Sequence, residues 1–333
     1  MKAVVMSAAG TPDVLEVRDV PMPKVENNAD VLVRLHAAGV NPIDTKLRSR
    51  GNFYPDRSPA ILGCDGAGVV EAVGSGVQQF KPGDEVYFCK GGLGGPRGNY
   101  AEYAVVEEWS LAKKPASLSF AEAAAAPLVL ITAWESLYDR AQLQAGQRVL
   151  IHAGAGGVGH VAIQLARLQG AEVATTVGSP EKAEFVRQLG ATVPILYKER
   201  DFVEAVMEWT GGEGVDVAFD TVGDDTFFKT APAVKVYGDL VTILEPKPEF
   251  GSLKTARLRN LRISLELMLT PMMEGLLDAQ RDQAKILSQC ARLFDENRLQ
   301  IQLSHTFPLE EAAAAHRLLE TGSMTGKIAL TMG

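Results

Sequence analysis

The chain has 333 residues, a formal net charge of −8 at pH 7 and 46% hydrophobic residues, enough apolar material for two domains with buried cores. Its acidic balance, with a pI near 5.3, offers no basic stripe for a phosphate backbone and excludes nucleic acid as the expected partner. No apolar run reaches the roughly 18 residues of a membrane span, and Met1–Val5 lacks the charged and apolar regions of a signal peptide, so a cytoplasmic protein without membrane insertion is the expectation.

From Met1 to about Ser117 the chain carries short strand signals: KAVVM, VLEVRDV, DVLVRLHAAGV, GAGVVEAVG, DEVYF and YAEYAVV. Turn residues separate them, among them Pro21–Pro23, Gly74–Gly76 and Pro82–Asp84. This pattern predicts an irregular, mainly antiparallel β domain. From Phe120 the composition turns helix-prone, through Ala121–Ala126 and Leu128–Leu137.

Arg148–Gly170 then reads RVLIHAGAGGVGHVAIQLARLQG. Val149, Leu150 and Ile151 form an apolar run without polar alternation, as in a strand covered on both faces of a parallel sheet. Gly154, Gly156 and Gly159 follow in G-x-G-x-x-G spacing, and apolar residues recur at helical intervals from Val158 onward. A strand thus runs through a glycine turn into a helix. Such a junction suits a dinucleotide pyrophosphate, because glycines admit the phosphates to the backbone and the helix N-terminus attracts their charge.

The pattern next alternates. Strands are expected at Glu172–Val177, Val193–Tyr197, Val215–Asp220 and Gly238–Leu244, and helices at Pro180–Leu189, Phe202–Trp209 and Asp225–Val234. Alternation with short connections calls for right-handed parallel crossovers and a doubly wound sheet. Leu261–Leu267 adds a sixth strand at the sheet edge, and its apolar character points to pairing between two subunits as a homodimer, with burial inside one chain as the alternative. Met272–Gln300 reads as one long amphipathic helix, followed by a strand at Ile301–Phe307, a helix at Leu309–Thr321 and a last strand at Lys327–Thr331. This ending has the character of the first domain, so the nucleotide domain reads as an insertion.

The end of the second strand bears on the cofactor. A site preferring NAD places Asp or Glu there to bond the ribose hydroxyls, whereas this chain has Val177–Gly178–Ser179. Without that carboxylate a 2′-phosphate meets no repulsion, and Ser179 and Lys182 can donate to it. NADPH is therefore expected over NADH. Ser179 can equally be a helix cap ahead of Pro180, with Lys182 solvated. Tyr197, on the same rim, can serve the phosphate, the adenine or simple packing.

Three scattered cysteines, Cys64, Cys89 and Cys290, make neither a disulfide framework nor a four-cysteine zinc lobe. The histidines His36, His152, His160, His305 and His316 show no metal-ligand spacing and read as structural, His152 alone adjoining the glycine turn closely enough to touch a cofactor.

Four ordered motifs extend these signals: Gly39–Asp44 (GVNPID), Leu62–Val70 (LGCDGAGVV), Lys81–Val86 (KPGDEV) and Ala153–Gly159 (AGAGGVG). Together they resemble the medium-chain dehydrogenase/reductase superfamily, specifically its zinc-free quinone oxidoreductase branch, which includes zeta-crystallin. The resemblance covers nearly the whole chain. It implies an α/β protein in which a doubly wound parallel Rossmann sheet, residues 125–267, is inserted in a discontinuous, mainly antiparallel GroES-like catalytic domain, residues 1–124 and 268–333.

Zinc-dependent relatives carry cysteine at the place of Asn41, Gly-His-Glu at Gly63–Asp65 and cysteine near Leu128. One soft ligand, Cys64, cannot hold a four-coordinate metal, so no metal is expected. By resemblance, Asn41 and Asp44 lie beside the nicotinamide and its ribose, although Asp44 also suits a turn after Pro42, and Tyr54 lines the substrate site. The resemblance further gives Thr132, Val222 and Ile243 to the nicotinamide, Gly157 and Val158 to the pyrophosphate, Ser179, Lys182 and Tyr197 to the 2′-phosphate, and Lys327 to a further cofactor contact.

The reaction this implies is metal-free hydride transfer from NADPH to a quinone or enone, with Asn41 and Tyr54 as donors to the developing oxyanion. Two rivals remain at this point: an enoyl-thioester or 2-alkenal reductase, and a cofactor-binding structural or sensor protein with little turnover.

Overall fold

The computed structural model describes every residue of the chain except Ser58 and the side chain of Pro55. Contacts divide it into two units, Met1–Leu128 with Leu269–Gly333, and Val129–Met268.

The first unit begins with β1 (Lys2–Met6), β2 (Leu15–Asp19), β3 (Asp30–Val40) and helix α1 (Pro42–Arg50). It continues through β4 (Ala60–Ile61), β5 (Asp65–Val73), β6 (Glu85–Cys89), β7 (Tyr103–Glu107), β8 (Leu111–Lys113) and α2 (Phe120–Ala125). Strands β2, β1 and β4 form a small antiparallel sheet. A larger one is organised around β3, whose length lets it take two partners on one edge: Asp30–Arg34 pair with β7, while Ala37–Val40 are left for a strand from the far end of the chain. Its other edge pairs with β5 through two register shifts. Such irregularities bend and twist a strand, and Val31, Val33, Leu35, Val70, Val86 and Phe88 fill the core beneath.

After α3 (Pro127–Trp134), the second unit runs β9 (Arg148–Ile151), α4 (Gly157–Leu168), β10 (Glu172–Val177), α5 (Pro180–Gln188), β11 (Val193–Leu196), α6 (Phe202–Trp209), β12 (Val215–Asp220), α7 (Asp224–Thr230), β13 (Val234–Thr242), α8 (Lys254–Leu258) and β14 (Arg262–Leu265). All its strand pairs are parallel, in the order β11-β10-β9-β12-β13-β14. This is the doubly wound sheet the alternation predicts. Leu150, Ala174, Ile195, Ala218 and Leu240 are buried at successive strands, packed with Val206 and Phe227 from the helices. At the edge, β14 leaves Ile263 and Leu265 exposed, and Leu267 beyond it as well.

The chain then returns to the first unit through α9 (Thr270–Met273), α10 (Leu277–Asp295), β15 (Leu303–Pro308), α11 (Ala312–Glu320) and β16 (Lys327–Thr331). Strand β16 is the missing partner of β3, pairing antiparallel with Ala37–Val40 and parallel with β15.

Two expectations are corrected. Met272–Gln300 is not one helix: Gly275, at φ 67°, breaks it, and Asn297, at φ 56°, follows its end. The left-handed conformation ends helical hydrogen bonding, and Gly adopts it without a Cβ clash. The helix read as Asp225–Val234 stops at Thr230, passes through a 3₁₀ turn at Ala231–Ala233, and Val234 already begins β13. Pro232 lacks the N–H that would extend the helix.

Helix α10 is tied to the sheet by Tyr87 on β6, whose buried hydroxyl donates to the Leu287 carbonyl at 2.5 Å. Tyr87→Phe keeps the packing and removes only this second bond to a carbonyl that the helix still pairs, so stability is expected to fall by about 0.5–1.5 kcal/mol. Urea unfolding measures this. An unchanged midpoint would show that the bond does not anchor α10.

Candidate functional site

In the second unit, the turn between β9 and α4 divides its glycines by purpose. A Cβ on Gly154 would lie 2.0 Å from the Thr175 hydroxyl, and one on Gly159 would lie 2.3 Å from the Ala153 carbonyl, so these two permit helix and strands to close on each other. At Gly156 a Cβ would meet only the Ala153 carbonyl, at 3.1 Å. Gly156 is the N-cap of α4 and no side chain caps this helix, so its first N–H groups and the positive end of its dipole are available to an anion. Gly157, Val158 and Gly159 form that first turn. His152 sits beneath it, 1% exposed, with its ring nitrogens 3.2 Å from the Thr176 hydroxyl and 2.8 Å from that of Thr230. Burial lowers its pKa to about 4 against the opposing pull of Asp220. It braces the turn as a neutral ring and has no nitrogen left for a cofactor.

The neighbouring strand ends complete the same rim. Ser179 caps α5, its hydroxyl accepting from the Lys182 N–H at 3.4 Å with Pro180 in the first position, so the capping role is realised. Tyr197 follows β11 and is 54% exposed, too open for a packing residue. At the end of β12 the buried Asp220 carboxylate accepts from the N–H groups of Val222 (3.0 Å) and Gly223 (2.9 Å) and from the Thr242 hydroxyl (2.8 Å). The same hydroxyl accepts from the Leu244 N–H at 3.2 Å. One carboxylate therefore fixes the two loops that carry Val222 and Ile243. Sequence reasoning passed over Asp220 and Thr242; the available signal was an acidic residue closing an otherwise apolar strand. Thr132 is buried on α3.

In the first unit, a polar cluster is buried where β3 runs into α1. Asn41 is the N-cap, and the Asp44 carboxylate accepts its backbone N–H at 2.8 Å. Asp44 also accepts from the Gly63 N–H (3.3 Å) and the Tyr100 hydroxyl (3.2 Å), and that hydroxyl lies 3.1 Å from Nε2 of His316. Asp65, at the start of β5, accepts from the Asn41 side-chain amide at 2.8 Å and from the Leu128 N–H at 3.0 Å. Lys327, at the start of β16, donates its ammonium to the Asn41 amide oxygen and to the Val40 carbonyl at 3.3 Å.

Asn41, Asp44 and Asp65 are fully buried and Lys327 nearly so. Burial pushes Asp44 up to about 7, against the Asn41 N–H that favours its charge, and pushes Asp65 up to about 6, against the attraction of Lys327. The Lys327 ammonium is lowered by burial and held up by both carboxylates. Thus Asn41, Asp44 and Lys327, separate candidates in the sequence, belong to one group here, joined by Asp65, Tyr100 and His316, which sequence reasoning did not place with them. Tyr54 lies outside this hydrogen-bonded group among the described residues, half-buried, with the Arg57 guanidinium 4.6 Å from its ring centre.

Residues 27–116 match the family model described as alcohol dehydrogenase GroES-like domain, and residues 189–330 match the one described as zinc-binding dehydrogenase. The chain is 36% identical to a quinone oxidoreductase of Pseudomonas aeruginosa, covering 99% of each chain. It is 34% identical to a 2-haloacrylate reductase of a Burkholderia species, covering 90% of each. Its structure resembles that of Escherichia coli quinone oxidoreductase complexed with NADPH, with a TM-score of 0.87, 29% identity, and coverage of 99% of this chain and 100% of that one.

The donor set does not fit the zinc of the second family description. The soft ligands near the cluster are Cys64 and Cys89, and burial first, then the neighbouring carboxylates, raises both thiols well above the usual range, with Cys89 bonded to Asp65. Asn41 is bonded to an ammonium and Asp65 to an amide and a backbone N–H. No group of three or more His, Cys, Asp or Glu with metal-binding geometry occurs among the described residues.

The cluster makes a signed prediction. Because both carboxyls titrate above their unfolded values, native Asp44 and Asp65 bind more protons than the unfolded chain, and their contribution to stability falls as pH rises from about 4 through 7. Lys327 offsets that loss. Lys327→Met is expected to cost about 3–5 kcal/mol at pH 8 and clearly less at pH 5, where the two acids carry protons. Denaturant unfolding at both pH values measures the difference; equal losses would mean that Lys327 acts by packing alone.

Proposed function

The chain belongs to the quinone oxidoreductase family of the medium-chain dehydrogenase/reductase superfamily and is an oxidoreductase; from that premise we propose that it transfers hydride from NADPH, without a metal, to a quinone or another conjugated carbonyl. Residues 125–267 are assigned to NADP binding and residues 1–124 with 268–333 to catalysis. The NADPH complex of the E. coli relative supports the cofactor, as does the uncapped first turn of α4, where backbone and dipole suit a pyrophosphate. Gly154, Gly156, Gly157, Val158 and Gly159 would hold it there, with Ser179, Lys182 and Tyr197 at the 2′-phosphate and Thr132, Val222, Ile243 and Lys327 toward the nicotinamide half.

When bound, NADPH supplies the hydride. The chain supplies orientation and charge. Asn41 gives one amide N–H to Asp65 and is proposed to offer its second to an acceptor oxygen, with Tyr54 as the other proposed donor. A preorganised donor of this kind is worth roughly 3 kcal/mol in the transition state. Asp44 holds the Asn41 backbone through the capping bond and so fixes the direction of its side chain. The observation that carries the metal-free reading is the Lys327 ammonium bonded to Asn41 beside Asp65, a fixed positive charge among groups unsuited to zinc. Acceptors that delocalise negative charge suit such a site better than simple ketones. The 2-haloacrylate reductase relative favours a second reading within this chemistry, reduction of a conjugated carbon–carbon double bond.

Two copies are proposed to pair through β14, where the unpaired strand edge and exposed Ile263, Leu265 and Leu267 make a surface that a second edge covers. A cytoplasmic setting suits three cysteines that are all free thiols.

Purified protein should oxidise NADPH in preference to NADH with quinones, and with enones or 2-haloacrylates if the second reading holds, without loss of rate on chelation. Preference for NADH would reject the cofactor, and chelator sensitivity would reject the metal-free chemistry. Lys182→Ala is expected to raise the KM for NADPH relative to that for NADH. On light scattering the wild type should weigh twice the 35.7 kDa of one chain, and Leu265→Asp should weigh one; a monomeric wild type would refute the pairing.

A further inference from the structure

We propose that Lys198 is the charge that selects NADPH over NADH, and that position 178 is glycine to keep the space in front of it open. This rests on the NADPH reading above and adds a residue to which no role has been assigned.

Strands β10 and β11 run parallel with Val177 opposite Leu196, and both end there. Tyr197 is still held, its N–H donating to the Val177 carbonyl at 3.3 Å. The chain then turns sharply, with the Glu199 and Arg200 N–H groups both donating to the Leu196 carbonyl at 2.9 and 3.0 Å. This turn folds Tyr197 and Lys198 toward the neighbouring strand end. A Cβ on Gly178 would lie 3.3 Å from the Tyr197 hydroxyl and 3.7 Å from Cε of Lys198. The Tyr197 hydroxyl and the last methylene of Lys198, which carries the ammonium, therefore reach the place where a ribose-binding carboxylate stands in NAD-preferring sites.

The other candidate donors are shared with partners in the protein. The Ser179 hydroxyl accepts from the Lys182 backbone N–H and donates to the Glu181 carboxylate. Arg200 is paired with Glu208 and Arg187 with Glu184. Lys198 is exposed and has no hydrogen bond or ion pair among the described residues. A monoester phosphate carries about −1.5 to −2 charges at neutral pH. A flexible ammonium beside it acts as a point charge, and a hydroxyl in the same place on NADH gains almost nothing from it. Most of the selectivity then comes from Lys198, with Tyr197 as the hydrogen-bond donor next to it and Lys182 adding to it from the start of α5.

Gly178 is not required by its backbone, since its φ lies outside the left-handed range. A side chain there would meet only flexible ends. Gly178→Asp is thus accommodated, and its carboxylate would pair with Lys198 and Tyr197, repel a phosphate and accept from a ribose hydroxyl.

Steady-state KM values for both cofactors, and inhibition by 2′,5′-ADP against 5′-AMP, test this. For Lys198→Ala the ratio of the NADPH to the NADH KM should rise about tenfold or more, the effect of one charged hydrogen bond, with 2′,5′-ADP inhibition weakened and 5′-AMP inhibition retained. Lys198→Arg should restore most of the ratio, and Gly178→Asp should move it further toward NADH. If the wild type prefers NADPH but Lys198→Ala leaves the ratio unchanged, this inference falls and the cofactor reading stands. If the wild type shows no preference for NADPH, both fall. Should Gly178→Asp fail to fold, the exposed Lys198 variants decide alone.

Discussion

A buried ammonium has to be answered by buried acceptors, and the first unit is arranged to provide them. Lys327 sits in a site that excludes water, with the Asn41 amide oxygen and the Val40 carbonyl as its hydrogen-bond partners and two carboxylates close enough to sustain its charge. Removing any one of these leaves a charge without compensation, which costs more than the pair gains. Asn41 is suited to the centre because an amide presents an acceptor to the cation and a donor to Asp65 at once. A carboxylate could not donate and an apolar side chain could do neither. The requirement also explains the chain path, since Lys327 is 286 residues from Asn41 in sequence and reaches it because β16 pairs with the half of β3 that β7 leaves open.

In the second unit the corresponding constraint is close approach. Gly154 and Gly159 permit contacts that any Cβ would forbid, and they set α4 hard against β9 and β10. Gly156 then presents the open helix terminus. Asp220 works differently, stabilising by hydrogen bonds what the glycines stabilise by absence: it binds one loop directly and the next through Thr242. A rim built this way has little freedom to rearrange, which favours a cofactor held in one pose over one that is captured by loop closure.

The parts of this structure that are legible in the sequence are those specified locally. Strands β10, β12 and β16 and helix α6 occupy the residues their apolar runs and flanking turns mark out. Amphipathic periodicity carried the reading straight through Gly275, because a period of 3.6 residues is insensitive to a single left-handed φ. Long-range chemistry was less visible. Nothing near Asn41 in the sequence announces Asp65, Tyr100 or His316, since each arrives from another element, and Lys327 was singled out only by resemblance. Asp220 was passed over for another reason, as a strand-end acid commonly faces solvent, whereas here its oxygens are used up by its own loop and the next strand.

The two acidic residues beside Lys327 bear on the proposed chemistry through their titration. With Asp65 pushed up to about 6 and Asp44 to about 7, the net charge of the cluster around Lys327 changes sign near neutral pH. At the alkaline end two carboxylates face one ammonium and the cluster is net negative, so negative charge building on an acceptor nearby is opposed. As each acid takes a proton the balance moves to neutral and then positive. Under the proposed reading, a quinone or enone is reduced more readily in the state that Lys327 dominates. Asn41 is fixed by Asp44 through its backbone and by Asp65 through its amide, and a neutral carboxyl accepts more weakly than a carboxylate, so the same protonation that improves the field loosens the donor. The opposition of these two effects is a consequence of burying a cation with acids, and a divalent metal held by thiolates would not be subject to it in this pH range.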